Sequence, residues 1–263
     1  MRRSLPASLV LLAGLALAGC AGSDEPASSG AREVTPVPSA EDRGAVAVPR
    51  EAGDASSGAP AARPVRGRWT TARLTRRAAL RATPRGRPLG RVGRHTQFGG
   101  PRVVSVLRRR GAWLQVVVPE RPNARPAWIS AARARLGATD VSLHIDRSER
   151  TLTVRDRDRT VQRVRIGVGA PAHPTPTGRF AVTDKLAMGG PGTTYGCCAL
   201  ALSAHQPNLP ATWNGLDRIA VHGTQSPETI GVAASLGCMH ASERDLHRLM
   251  RTVPLGAPVF IRA

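Results

Sequence analysis

The sequence predicts a mainly β fold with one or two short helices. Short segments in which apolar and other residues alternate recur after residue 100, and glycine or proline separates them. One helical pattern stands near the C-terminus, where Ser242 precedes apolar residues at Leu246, Leu249 and Met250 and Asp245 supports the cap. Because 41% of the residues are hydrophobic but only 3% are aromatic, the core must consist mainly of Val, Leu, Ile and Ala.

The N-terminus predicts export and a lipid anchor. Residues 1–20 combine two early arginines, an apolar stretch at 9–18 and the tetrapeptide Leu-Ala-Gly-Cys ending at Cys20, which is typical of a signal peptide. The apolar stretch is too short for a spanning helix. The tetrapeptide resembles the bacterial lipobox, which implies lipidation of Cys20 and attachment to the cell membrane, facing the cell wall. Ordinary cleavage near Ala21 is the alternative. Residues 21–66 lack apolar periodicity and predict a disordered tether.

The formal net charge of +20 favours polyanionic partners. The sequence shows no helix-turn-helix, no zinc-finger spacing and few aromatic residues for base stacking. Since export also separates the mature chain from nucleic acid, anionic lipids or anionic wall polymers are the polyanions that we expect it to meet.

Residues 67–135 predict a small β domain. Strands are expected at 101–106, 113–118 and 127–129, with a hairpin turn around Gly111. The run from Gly111 to Val116, followed by Ala-Trp-Ile at 127–129, resembles bacterial SH3-like domains found beside wall enzymes. The resemblance implies that the domain either binds wall material or positions the catalytic domain. A spacer whose tryptophans belong to the core is the alternative.

The second predicted domain spans residues 140–263. A hairpin is expected from strands at 141–145 and 151–154. Further strands are expected at 160–169, 180–182, 218–221 and 259–261, and Pro254 should end the helix that Ser242 caps.

A thiol and an imidazole near the C-terminus predict nucleophilic catalysis. The thiolate is the attacking form of cysteine, and a neutral imidazole can accept its proton. We therefore predict that Cys238 is the nucleophile and His222 its general base. The backbone N–H groups of Gly237 and Cys238 could form an oxyanion hole, and Ser235 could hold the loop or a substrate carbonyl.

The same residues resemble the signature of the L,D-transpeptidase (YkuD-type) catalytic domain. His222-Gly-Thr is followed by Ser235-x-Gly-Cys238, and residues 168–180 and Tyr195-Gly fit the family upstream. The resemblance spans about 141–262. It implies a β-rich fold without a cofactor or metal, in which the cysteine attacks the carbonyl of the third residue of a peptidoglycan stem peptide. An amine on a neighbouring stem then takes the acyl group, which gives a 3→3 cross-link.

The resemblance also assigns supporting roles. The carbonyl of Gly223 orients the imidazole, and Thr224 and Tyr195 belong to the substrate-binding residues. Two positions depart from the family, which commonly has His where Leu236 stands and Arg where His240 stands. If His240 replaces that arginine as a cationic anchor for substrate, it can do so only when protonated.

Other interpretations remain open from the sequence. The same acyl-enzyme resolved by water would make the protein an L,D-carboxypeptidase or another Cys/His wall hydrolase. A zinc site at His222, Cys238 and His240 matches no standard spacing. A wall-binding lipoprotein with a degenerate catalytic domain is the non-enzymatic alternative. The adjacent Cys197 and Cys198 are expected to be buried thiols, because neighbouring cysteines pair only under strain.

Overall fold

The computed structural model describes residues 68–263, which lie within one compact unit, Pro60–Ala263. The predicted signal peptide, the predicted lipidation site Cys20 and the predicted tether at 21–66 lie outside the described residues. Within 68–263, no helix is both long enough and apolar enough to cross a membrane.

The first part of the described chain forms a seven-stranded antiparallel sheet with the strand order β3-β2-β6-β5-β4-β1-β7. Its strands are β1 Trp69–Leu74, β2 Ala78–Arg81, β3 Pro88–Val92, β4 Val103–Arg110, β5 Trp113–Val117, β6 Ala127–Ser130 and β7 Ala134–Thr139. Alternating side chains of β5 are buried, so one face of the sheet forms an aliphatic core. Trp128 is buried as well, with the Arg108 guanidinium 5.2 Å from its ring centre. The assignment of this sheet as an SH3-like barrel stays a prediction.

The second part forms an eight-stranded mixed sheet with the order β10-β9-β8-β17-β12-β13-β14-β16, beside a two-stranded parallel sheet, β11-β15. Its strands are β8 Val141–Asp146, β9 Thr151–Asp156, β10 Arg159–Arg165, β11 Val168–Gly169, β12 Gly178–Ala187, β13 Cys198–His205, β14 Arg218–His222, β15 Ala233–Ser235, β16 Met239–His240 and β17 Pro258–Arg262. The mainly β class with a single α-helix agrees with the sequence prediction.

Helix α1, Glu243–Thr252, begins where the sequence predicts. The Ser242 hydroxyl accepts a hydrogen bond from the Asp245 N–H at 3.2 Å, which satisfies one of the free donors of the first turn. Leu246 and Leu249, one helical turn apart, are buried in the core of the second sheet. The helix therefore covers β13 and ends before Pro254.

Several strand predictions need correction. Strand β4 continues to Arg110, so the β4–β5 turn consists of Gly111 and Ala112. The strand expected at 160–169 is two strands, β10 and β11, which belong to different sheets. Strand β12 is longer than the expected 180–182, and β1–β3 were not predicted at all.

The two larger sheets contact each other through the loop that joins β5 to β6. The Asn123 side chain donates to the His205 carbonyl at 2.7 Å and accepts from the His205 N–H at 2.9 Å, at the end of β13. The loop between β3 and β4 makes a second contact, where the Thr96 hydroxyl donates to the buried Asp184 carboxylate on β12. Both loops thus reach strands that lead to the predicted site.

Candidate active site

Two short parallel strands bring the predicted nucleophile and base together. Strand β14 pairs with β16 so that Val221 stands opposite Met239 and His222 opposite His240. Since side chains alternate along a strand, Cys238, just before β16, shares a face with His222 and His240. Cys238 follows His222 by sixteen positions in the sequence, and the pairing of β14 with β16 brings the two residues together in space.

The His222 ring is buried and held in one tautomer. Its Nδ1 lies 2.5 Å from the carbonyl oxygen of Gly223, which can only accept, so Nδ1 carries a proton and Nε2 carries the free lone pair. The pKa of His222 is lowered to about 4: burial is the main cause, the Gly223 carbonyl opposes it, and the nearby His240 contributes to the lowering. The imidazole is therefore neutral over the whole range in which a proton acceptor is needed.

The raised pKa of Cys238 favours the neutral thiol at neutral pH. The Cys238 S–H donates to the carbonyl oxygen of Arg218 at 3.7 Å. It does not donate to the ring of His222. Burial raises the pKa of the thiol, and a backbone hydrogen bond at Ala220 opposes that effect. The resting pair is thus a neutral thiol beside a neutral imidazole, and a rotation of the thiol must precede proton transfer to Nε2.

The loop before the cysteine is held by Ser235. Its hydroxyl donates to the Cys238 carbonyl at 2.6 Å and accepts the Gly237 N–H at 3.0 Å. Ser235 therefore holds the loop, which is one of its two predicted roles. The Gly237 N–H is already hydrogen-bonded, so the expectation that it donates freely to a substrate oxyanion is not supported by this geometry.

Two buried side chains that the sequence analysis missed hold the same loop from the other side. The Gln206 amide donates to the carbonyl of Leu236 at 3.0 Å and to that of His173 at 3.0 Å. The Thr175 hydroxyl donates to the Gly237 carbonyl at 2.8 Å. Gly237 has a φ of +117°, and a Cβ there would meet the Gln206 amide nitrogen at 2.2 Å, so no larger residue fits.

His240 does not have the environment of a cationic anchor. The Thr229 hydroxyl donates its one proton to the Ser226 carbonyl at 2.6 Å, so its oxygen accepts from the His240 Nδ1–H at 2.7 Å. Burial lowers the pKa of His240 and favours the neutral ring. The ring centre lies 5.0 Å from that of His222. This environment favours the neutral ring, whereas the anchor role expected from the sequence requires a protonated ring, so that role stays a prediction.

The turn after His222 packs against the segment that precedes β13. The Gly223 N–H donates to the Tyr195 carbonyl at 2.9 Å, and the Tyr195 ring meets the His222 ring edge-on, 5.0 Å between centres. A Cβ at Gly223 would lie 2.6 Å from the Gly196 Cα, so the two backbones require glycine here. The Thr224 hydroxyl accepts the Ser226 N–H at 3.0 Å and stabilises the following turn.

A cavity of about 570 Å³ opens onto this arrangement. It is lined by the predicted residues Cys238, His222, Ser235, His240, Thr224 and Tyr195, together with Phe98, Gln206, Arg218, Trp213, Leu216 and Leu236. Much of its rim is apolar, and Trp213 and Leu216 are exposed there. A slightly larger cavity of about 590 Å³ lies over β8, β9 and β17, but its lining contains no cysteine.

The adjacent cysteines differ from the expectation of buried thiols. Cys197 and Cys198 are disulfide-bonded to each other, and Cys238 is the free cysteine of the described chain. Within residues 68–263, the side chains whose ligand atoms lie close enough together to hold a metal ion are Cys197, Cys198 and His247. That group does not include His222, Cys238 or His240, as the zinc alternative would require.

Comparison with protein-family models and curated proteins agrees with the family that the His222 and Cys238 motif indicates. Residues 140–261 match the family model of the YkuD L,D-transpeptidase catalytic domain. Two curated relatives, both putative L,D-transpeptidases YkuD, are 34% identical over 112 residues (Bacillus licheniformis) and 31% identical over 112 residues (Bacillus subtilis). These matches cover 43% of this chain and 59% and 60% of the relatives, so the chain spans about three fifths of their length.

Solved structures of L,D-transpeptidases also align with this chain, at lower identity and with TM-scores below 0.5. An L,D-transpeptidase from Mycobacterium smegmatis aligns at 21% identity and a TM-score of 0.38, over 54% of this chain and 76% of that one. One from Mycobacterium tuberculosis aligns at 15% identity and a TM-score of 0.41, over 72% of this chain and 80% of that one. On the matched family model and the curated relatives, the C-terminal part of this chain belongs to the L,D-transpeptidase (YkuD) catalytic domain family.

Proposed function

We propose that the protein is an L,D-transpeptidase in which Cys238 is the nucleophile and His222 the general base. The observation that carries the proposal is that His222, at the end of β14, and Cys238, just before β16, share one face at the wall of a cavity, with the lone pair of His222 Nε2 free. The substrate class, a peptidoglycan stem peptide, comes from membership of the family.

The reaction divides into two acyl transfers. His222 Nε2 takes the S–H proton while Cys238 Sγ attacks the carbonyl of the third stem residue. The C–N bond to the terminal D-alanine breaks, and its nitrogen receives the proton from His222. The amine of a second stem peptide then attacks the thioester and gives its proton to His222, and the free thiol is restored. The product is a 3→3 cross-link.

Surrounding residues support substrate binding. The Tyr195 ring packs edge-on against His222 in the lining of the cavity, and Thr224 shapes the turn that follows. Because burial lowers the pKa of His240, we assign it to contact substrate as a neutral imidazole rather than as a carboxylate anchor. The N–H of Cys238 is the remaining backbone candidate for the oxyanion, since the Gly237 N–H is used by Ser235.

Hydrolysis is the second candidate function, because water can replace the amine at the thioester and give an L,D-carboxypeptidase. Mass spectrometry of purified tetrapeptide fragments incubated with the protein separates the two outcomes. We expect a cross-linked dimer that has lost one D-alanine. Tripeptide without dimer, in the presence of excess acceptor, would identify a hydrolase. Neither product with the wild type, or both products with Cys238→Ala, would refute the proposed site.

We further propose that the protein is exported and anchored through a lipid on Cys20, which would hold the catalytic domain beside its wall substrate. The support is the sequence of residues 1–20. With Cys20→Ala we expect the protein to move from the detergent phase to the aqueous phase on partitioning. Unchanged partitioning would show that Cys20 is an ordinary residue near the cleavage site.

A further inference from the structure

A second cluster of reactive side chains lies outside the active-site cavity. Cys197 and Cys198 stand at the start of β13, and His247 projects from α1, which packs on that strand. One ligand atom from each of the three side chains lies within 4.8 Å of the other two. None of the three lines the cavity that contains Cys238.

The backbone at this cluster is fixed on both sides. The Cys197 N–H donates to the Glu243 carboxylate at 3.0 Å, and the Cys197 carbonyl accepts the Met188 N–H at 2.8 Å. Cys198 pairs with Ala187 in the β12–β13 ladder. Glu243 and His247 are one turn apart on the same side of α1. The helix therefore holds the cysteine backbone with one residue and presents an imidazole to the sulfurs with another.

We propose that Cys197, Cys198 and His247 form a redox-gated binding site for a thiophilic cation such as Zn²⁺. Two thiolates and one imidazole are a donor set that such cations prefer, and three protein ligands leave a fourth position for water. Neighbouring ligand atoms in a tetrahedral zinc site are separated by less than the 4.8 Å limit found here, given bonds of about 2.0–2.3 Å. Burial of Cys198 and the exposure of His247 give an inner sulfur and an open outer side through which the ion can enter.

The oxidation state of the sulfurs controls the site. In the disulfide, neither sulfur can supply a thiolate. A phosphine or dithiol reductant delivers two electrons, the S–S bond breaks, and two protons are taken up to give two thiols. Zn²⁺ then binds as those two protons are released, because the ligand form of cysteine is the thiolate.

The test measures zinc binding to the full chain in detergent micelles by competition with a chromophoric zinc indicator, before and after treatment with a phosphine. We expect one equivalent of Zn²⁺ on the reduced protein and none on the oxidised protein. With Co²⁺ as a spectroscopic probe, we expect a thiolate-to-metal charge-transfer band. Zinc bound equally by the oxidised protein would overturn the proposal.

Variants identify the ligands. His247→Gln changes an exposed helical residue and should weaken zinc binding at least about tenfold. Cys197→Ser with Cys198→Ser should abolish the charge-transfer band. Cys238→Ser is the matched control, since it removes the one remaining thiol of the described chain and should leave binding unchanged. Loss of binding in Cys238→Ser, or unchanged affinity in His247→Gln, would refute the three-ligand site without bearing on the transpeptidase proposal.

Discussion

The low pKa of His222 has a consequence for stability that can be measured without substrate. An unperturbed histidine has a pKa of 6.5, whereas burial holds His222 at about 4. One pKa unit is worth about 1.4 kcal/mol, so keeping this ring neutral corresponds to about 3 kcal/mol. Between pH 4 and 6.5, the unfolded chain binds a proton at His222 that the folded chain does not bind. The free energy of unfolding should therefore fall as the pH falls through that window.

The assay is denaturant unfolding at a series of pH values for the wild type and for His222→Asn. The asparagine amide can donate to the Gly223 carbonyl in place of Nδ1 but does not titrate. Above pH 6.5 the difference in the free energy of unfolding between the two proteins should be constant. As the pH falls toward 4, the free energy of unfolding of the wild type should decrease by up to about 3 kcal/mol more than that of the variant. Parallel curves down to pH 4 would refute the assignment of a buried, neutral His222.

The same pKa fixes the acidic side of the activity profile. Because Cys238 remains a thiol at neutral pH, kcat/KM depends on His222 being free to accept a proton. We expect the acidic limb near pH 4, well below the value of an ordinary histidine. An acidic limb of the kcat/KM profile close to pH 6.5 would mean that the base is a solvated imidazole, or that another group accepts the proton.

Three further changes test the site and its support. A carbapenem should form one adduct on Cys238, by mass spectrometry, and an adduct that persists in Cys238→Ala would place the reactive group elsewhere. Gln206→Ala should lower the free energy of unfolding by about 2 kcal/mol and reduce kcat, because the Leu236 carbonyl of the nucleophile loop and the His173 carbonyl lose their donor. Unchanged stability would refute that role. Asn123→Ala should lower the free energy of unfolding by about 2 kcal/mol, because the N–H and the carbonyl of His205 lose their side-chain partner. Asn123→Asp should also destabilise the protein, because its carboxylate can accept the His205 N–H but has no proton to donate to the His205 carbonyl. Equal stability of all three proteins would exclude the contact.

The sequence predicted the parts of the site that local patterns encode. His222 ends a short apolar strand, and Cys238 precedes the helix that Ser242 caps, so both positions follow from periodicity and capping. Strand β13 was missed because all but the last of its side chains are buried, and such a strand shows no alternation. Its eight residues, rich in alanine, give no local signal that separates a strand from a buried helix.

Contacts between distant segments could not be predicted from one sequence. Gln206 reaches Leu236 across thirty positions, and no nearby residue indicates that its amide is buried. The protonation state of His240 could not be predicted for the same reason, since its hydrogen bond to Thr229 and its burial appear only after folding. The sequence motif identifies the reacting groups, whereas burial and hydrogen bonding in the folded protein determine their protonation states.

The contacts of the first sheet favour one of the two roles that the sequence left open for residues 67–135. Asn123 fixes the backbone of His205, and His205 Nδ1 lies 2.9 Å from the carboxylate of Asp217. The next residue, Arg218, supplies the carbonyl to which the Cys238 thiol donates. A chain of direct contacts therefore runs from the β5–β6 loop to the nucleophile. Because the β3–β4 loop also contributes Phe98 to the cavity, we infer that this segment positions the active site, whether or not it binds wall material as well.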